Sequence, residues 1–283
     1  MRIQEFSNFI IKRWRVFERR SKGLPPPWSE DPILQNYRFC NVRREDDAVT
    51  IFIRKNWLEP NYDCEHLWFA SLISRFFNYP EFLKEIGFPV PFKPGHLLNK
   101  AKAITAEGGK KFNTAYLITT NGARGEKVEL LTELVFKPAW ARRSEFVYQQ
   151  GSPLSHYHEK LMTLNGLKSF LAGQVIADLK YAPQFDAAPD WDSFFAIGPG
   201  SKRGVNRVFG KPKKETAPDS EFIEMFRAIR AEAEPLIEAA GVPHLHAQDV
   251  QNCLCEFDKY ERVRLKEDGR VRPFNYLKQD QIL

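Results

Sequence analysis

Apolar residues recur along most of this chain at three- and four-residue intervals, the spacing that lines up side chains on one face of a helix. In the opening segment Ile3, Phe6, Ile10, Trp14 and Phe17 share a face, and Lys12, Arg15 and Arg19 lie opposite. A helix is predicted there, and the stretch 22–28 ends it because Pro25, Pro26 and Pro27 cannot continue it. Val49, Phe52, Ile53 and Trp57 predict another helix, with Asp46 and Asp47 in a first turn where acids favour the positive end of the dipole. Further helices follow from Cys64, Leu67, Trp68, Leu72 and Phe76, from Leu97, Leu98, Ala101 and Ile104, and from Val128, Leu131, Leu134 and Val135. Residues 116–120 are ambiguous and fit a short strand. A turn at Asn165 and Gly166 introduces an apolar helix bearing Phe170, Val175, Ile176 and Leu179. Asp219 is placed to cap a long helix carrying Phe222, Met225, Phe226, Ile229 and Leu236, which Gly241 and Pro243 terminate. The run DVQNCLCEFDKY, residues 249–260, also keeps helical spacing. The chain therefore reads as mainly α, without an internal repeat or a heptad array.

Composition narrows the class. With 283 residues, 43% of them hydrophobic and 23 of them Phe, the chain can bury one large core or two joined lobes. Forty-two Lys and Arg against 36 Asp and Glu leave a charge of +6, a modest attraction for nucleic acid or phosphorylated ligands. No run has the length of a membrane span, and Lys12, Arg13, Arg15 and Glu18 interrupt any signal-peptide core, so no membrane partner and a cytoplasmic location are expected. Cys40 and Cys64 are isolated, and Cys253 and Cys255 are too close on a helix to pair, which predicts reduced thiols. The pairs His156/His158 and His244/His246 come without CxxC or HExxH, so no metal is expected.

Three clusters carry candidate chemistry. At residues 43–47, RREDD reads either as helix capping with surface ion pairs or as a pocket rim, with Arg43 or Arg44 as a phosphate fork and Asn41 supporting it or reading a base. At residues 198–214, GPGSKRGVNRVFGKPKK supplies six Lys or Arg and no acid, and its glycines let backbone amides approach an anion closely. Arg203 and Arg207 come together if VNRVF is helical, with Asn206 beside them; Lys202 adds charge, and Lys211, Lys213 and Lys214 suit a nucleic-acid backbone. A solvated surface is the plain alternative. The run is not a GxxxxGK[ST] phosphate loop. Upstream, Gln174 and Asp178 lie four apart on one helix face. In CEFDKY, Glu256 and Lys259 are spaced for an intrahelical pair, or in a closed site for taking a proton and for neutralising a leaving phosphate.

The segments QNYRFCNVRREDD, LNGLKSFLAGQVIADLKY, DWDSFFAIGPGSKRGVNRVFG and CLCEFDKYERVR resemble the bacteriophage alpha-glutamyl/putrescinyl thymine pyrophosphorylases, or amino acid:DNA transferases, over roughly residues 34–264. These are related to the helical part of 5-hydroxymethyluracil DNA kinases. The resemblance implies a helix-hairpin-helix DNA glycosylase-like fold with a central cleft: an N-terminal helical arm at 1–33, a catalytic domain at 34–265 that could form two lobes, and a C-terminal extension at 266–283. LNGLK looks like the LPGVG hairpin, with Lys168 where the second glycine stands, and Asp190 or Asp192 falls near the aspartate that follows that hairpin. The implied reaction displaces pyrophosphate from 5-pyrophosphoryloxymethyluracil in double-stranded DNA with the amine of an amino acid or polyamine. A 5-hydroxymethyluracil DNA kinase, a base-excising glycosylase and a DNA-binding module are the alternatives. In this picture Asp192, Glu256 and Asp258 orient or deprotonate the amine, and Lys259 joins Asn41, Arg43, Arg44, Lys168, Gln174, Lys202, Arg203, Asn206, Arg207 and Lys211 at DNA or pyrophosphate. A flipped nucleotide could stack on Trp191, Phe194 or Phe195, each of which equally suits the core. The bacterial host cytoplasm is the implied location.

Overall fold

The computed structural model describes residues 1–113, 118, 122–267, 271 and 273. Among these the chain is all-helical; its one β feature is an isolated antiparallel bridge between Tyr37 and Pro273. In chain order the helices are α1 Ile3–Ser21, α2 Pro32–Asn36, α3 Ala48–Ile53, α4 Leu67–Phe77, α5 Pro80–Ile86, α6 Pro94–Ala106 and α7 Lys127–Leu131. Then come α8 Lys137–Ala141, α9 Leu154–Leu161, α10 Ser169–Leu179, α11 Pro199–Phe209, α12 Asp219–Ala239 and α13 Ala247–Arg264. π-helical turns at Arg54–Leu58 and Thr132–Phe136 extend α3 and join α7 to α8. None of the described helices is long and apolar enough to cross a membrane. Two compact units result, Met1–Asp47 with Ile197–Leu283, and Ala48–Ala196.

In the first unit α1 packs on α12 and α13, and α11 lies along α13. The apolar stripe of α1 gives Phe6 and Phe9 to an aromatic cluster with Phe257 of α13, ring centroids 5.5 Å apart in both pairs. Glycine makes the α11–α13 contact possible. A Cβ on Gly204 would stand 2.1 Å from the backbone carbonyl oxygen of Leu254, so only hydrogen fits there, while one on Gly200 would meet Cys255 Sγ at 2.3 Å and require that thiol to turn aside. The second unit is built around α4, every residue of which is buried, packed on α10. Inside that core the guanidinium of Arg75 forks onto Asp178, with Nε–Oδ2 at 2.5 Å, and reaches Asn78 and Thr50 at 2.7 and 2.9 Å.

Several local expectations are revised. Asp219 opens α12 as its first residue, with Pro218 at the cap, because its carboxylate is taken by Lys202 Nζ. Asp46 closes a short 3-10 turn, Arg44–Asp46, and Asp47 is extended ahead of α3, so neither acid lies in that helix's first turn. Asp178 does not share an outer face with Gln174, since Arg75 draws it into the core. The turn at Asn165–Gly166 is present: Gly166 has φ +82°, and Asn165 Nδ2 donates to the carbonyl of Leu134 at 2.8 Å. Apart from Ile118, the 116–120 segment lies outside the described residues, as does most of 266–283.

Replacing Gly204 with Ala should lower stability by about 1–3 kcal/mol or more, because the methyl group can enter only if α11 moves off α13. Urea unfolding measures the loss; an unchanged midpoint would contradict the packing.

Candidate functional site

The basic run and the CEFDKY segment meet in the first unit. As VNRVF lies inside α11, Arg203 and Arg207 project together, and both reach Asp258 of α13: Arg203 Nε donates to Oδ2 at 2.8 Å and Arg207 Nε to Oδ1 at 2.7 Å. Arg262, one turn along α13, is the third cation, at 3.4 Å. Asp258 has no solvent exposure. With both oxygens held by guanidinium groups, it is a structural anion, poorly placed to take a proton from a substrate.

The two α11 arginines differ in what remains of their donors. Arg207 is 5% exposed and also forks onto Glu267, at 3.2 and 2.8 Å, so its guanidinium is fully committed. Lys213 reaches the same carboxylate at 2.6 Å. Hydrogen bonds from Arg207 and Lys213 hold the Glu267 carboxyl down at about 2. Arg203 is 34% exposed, and beyond the bond to Asp258 its two terminal nitrogens make no hydrogen bond among the described residues. A guanidinium fixed at Nε, with its outer fork open, is preorganised for a phosphate or carboxylate.

Glu256 and Lys259 form the expected pair at 3.4 Å. The Glu256 carboxylate also accepts the Cys40 amide at 3.1 Å, while Lys259 Nζ donates to the Arg38 carbonyl and lies 4.8 Å from the Phe39 ring centre. They tie the 38–40 strand of chain to α13. Asn206 is buried and donates to the Glu215 carbonyl at 2.9 Å. Lys211 pairs with Glu215 and Glu221, both at 3.1 Å, and Lys202 with Asp219. In the RREDD cluster Arg43 pairs with Glu45 and with Asp46 at 3.6 Å, Asn41 donates to the Asp46 carbonyl at 2.6 Å, and the Arg44 amide donates to Asp249 at 2.8 Å. The ion-pair half of the plain reading is present in that cluster, and the side chains of Arg43 and Arg44 are half-buried.

Lys168, Gln174 and Asp192 belong to the second unit. Lys168 is exposed at the N-cap of α10. Asp190, considered beside Asp192, caps α9 instead, accepting the amides of Leu154 and Ser155 at 2.6 and 2.9 Å. Asp192 is half-buried. Phe194 is core, and half-buried Trp191 has Lys180 Nζ 4.5 Å from its ring centre.

Residues without a place in the sequence reading complete the first unit. Arg13, on the apolar face of α1, is buried and donates to Cys253 Sγ at 3.3 Å and to the carbonyls of Cys40 and Asn41. Its position between Ile10 and Trp14 was the available signal. Arg262 could have been found from its i+4 spacing to Asp258. Burial pushes the Cys253 thiol up to about 11, consistent with volume filling and not with a nucleophile. The four cysteines are free thiols. One set of possible metal donors occurs among the described residues, Glu234, Glu238 and His244 on the outer end of α12 and the loop after it, within 4.8 Å of one another.

The fold and this cluster define a mainly helical protein that presents an arginine fork braced by a buried carboxylate. The chain belongs to the family described as 5-hmdU DNA kinase, helical domain, which matches it over residues 1–269. A 5-hmdU DNA kinase of Bacillus phage SP10 is 27% identical over 286 residues, covering 92% of this chain and 45% of that protein. The chain thus spans less than half the length of this relative. No solved structure matches it.

Replacing Glu267 with Gln should remove a pH-dependent part of the stability. Its folded pKa lies below the ordinary value near 4.5, so its contribution is complete above about pH 5 and is lost as pH falls toward 2. The gap in urea midpoint between wild type and variant should therefore close across that window; a gap independent of pH would contradict the Arg207–Glu267–Lys213 geometry.

Proposed function

We propose that this chain is the DNA-engaging helical part of a system that phosphorylates 5-hydroxymethyluracil in double-stranded DNA, with the helix-hairpin-helix glycosylase-like cleft as the place where the base is handled. Family membership supplies the substrate class. The Arg203 fork carries the residue-level reading: held by Asp258 and open outward, it suits a phosphate of the DNA or of the phosphorylated base. Lys168, exposed at the N-cap of α10 in the second unit, is a separate candidate for a phosphate contact. Arg207, Arg262 and Asp258 then position Arg203 and do not themselves touch the substrate.

A second reading rests on one sequence observation. The 283 residues contain no GxxxxGK[ST] phosphate loop, so these residues supply no such cradle for a nucleotide triphosphate. The resemblance to amino acid:DNA transferases keeps in view a reaction in which an amine replaces pyrophosphate on 5-pyrophosphoryloxymethyluracil. The amine nitrogen bonds to the exocyclic carbon, the carbon–oxygen bond breaks, pyrophosphate leaves with the electron pair, and the ammonium proton goes to a base such as Asp192 or Glu256.

The test compares duplexes containing thymine, 5-hydroxymethyluracil or its pyrophosphorylated form, by binding and by nucleoside mass after incubation. Preference for 5-hydroxymethyluracil over thymine, with no amine-bearing product, supports the first reading. A nucleoside mass that loses pyrophosphate and gains one amine, without ATP and only on pyrophosphorylated DNA, supports the second. Equal binding to all three duplexes with no product would reject both and leave a nonspecific DNA-binding module. In either reading Arg203→Met should weaken DNA binding and reduce the slope of log affinity against log salt by about 1. Arg207→Met should instead lower stability by roughly 3 kcal/mol, since it leaves buried charge uncompensated.

A further inference from the structure

At the end of α12 two carboxylates and an imidazole converge, and none of the three takes part in the reading above. Glu234 and Glu238 are four residues apart, so their side chains share one face of the last helical turns. The third group comes from beyond the helix. Gly241, in the left-handed region at φ +84°, reverses the chain, and the Val242 amide closes the turn on the carbonyl of Ile237 at 3.1 Å. Val242 and Leu245 are core residues, and Arg230 donates to the Leu245 carbonyl at 3.3 Å. His244, between those two anchors, is thereby held against the face that carries both glutamates.

The distances favour a shared cation over a simple ion pair. His244 Nδ1 lies 3.2 Å from Glu234 Oε1 and 3.4 Å from Glu238 Oε1, and the donor atoms of the three residues all lie within 4.8 Å of one another. A single ring nitrogen carries at most one hydrogen, which cannot point squarely at two carboxylates, and charge-assisted bonds are usually shorter, about 2.7–2.9 Å. Tetrahedral coordination with bonds of about 2.0–2.1 Å sets neighbouring donors about 3.3–3.4 Å apart, close to both separations. Two glutamates four apart on a helix also repel each other. An imidazolium answers one of these charges, and a divalent ion answers both. Arg230 Nη2 stands 3.4 Å from Glu234 Oε1; its charge weakens the site for a cation without closing the side between Glu238 and His244.

The geometry points to a binding site for a zinc ion, held by Glu234, Glu238 and Nδ1 of His244, with one position left for water. An imidazole beside carboxylates suits zinc, whereas magnesium prefers oxygen ligands in octahedral geometry and keeps its waters. The lack of CxxC and HExxH does not bear on this set, because two ligands lie on one helix and the third reaches them only through the turn at Gly241. A bound ion ties the end of α12 to the segment that opens α13. The site shares no residue with the Arg203 fork and depends on no reading of the reaction.

The test uses the full chain, stripped with a chelator and titrated with zinc, magnesium or cobalt chloride. One equivalent of zinc should bind and raise the thermal unfolding midpoint, and magnesium should do neither. Cobalt should give the visible absorption of a four-coordinate site without the near-ultraviolet band of thiolate ligation, which excludes the four cysteines as ligands. Glu238→Gln and His244→Gln, both at exposed positions and expected to leave the zinc-free midpoint near that of the wild type, should each weaken zinc binding at least about tenfold. Absence of zinc binding would leave an imidazolium–carboxylate ion pair only. Binding unchanged in either variant, or accompanied by the thiolate band, would mark an adventitious ion elsewhere. Each of these results would overturn the assignment, as would magnesium binding as tight as that of zinc.

Discussion

The buried carboxylate of Asp258 is the constraint on which the first unit depends. An isolated carboxylate at zero exposure would cost several kcal/mol, and it is tolerated because Arg203, Arg207 and Arg262 converge on it. That convergence requires α11 to lie close against α13, and the closeness in turn requires hydrogen instead of a methyl group at Gly204. Three cations on one anion leave surplus positive charge. Glu267 absorbs the part carried by Arg207, while the part carried by Arg203 faces solvent. A structural ion cluster thereby produces an oriented anion receptor.

The same economy runs along the rest of α13. Asp249, Glu256 and Glu261 are all buried, and each is answered from another stretch of chain: the Arg44 amide, the Cys40 amide, and Arg2, the last at 2.8 Å. Acids on this helix thus gather the N-terminal segment and α11 around a single axis. The second unit uses the opposite strategy, an aromatic core around α4 with one internal ion pair, Arg75–Asp178, pinning α4 to α10.

Much of the helical framework could be read from apolar spacing. Helices at 3–21, 67–77, 94–106, 169–179, 219–239 and 247–264 coincide with the periodic runs, and the turn at Asn165–Gly166 is where an Asn-Gly pair belongs. What failed were the ends, at Asp46, Asp47 and Asp219, because a carboxylate near a helix start can cap it, strengthen its first turn or be captured by a distant lysine. Spacing also brought Arg203 and Arg207 to one side of α11 and paired Glu256 with Lys259. It could not tell that one arginine of the first pair is open and the other closed.

The sequence by itself determined a mainly helical chain, a net positive charge, and the local neighbours that lie three or four residues apart, since these follow from the helical repeat and from counting charges. Tertiary structure alone decided which charges are spent internally. Asp258 meets Arg203 across 55 residues, Asp178 meets Arg75 across 103, and Glu256 meets the Cys40 amide across 216. Whether a charged side chain faces solvent or a buried partner depends on how helices distant in sequence pack. The helical repeat carries no information about that packing, so the chemistry each residue can perform became legible only in three dimensions.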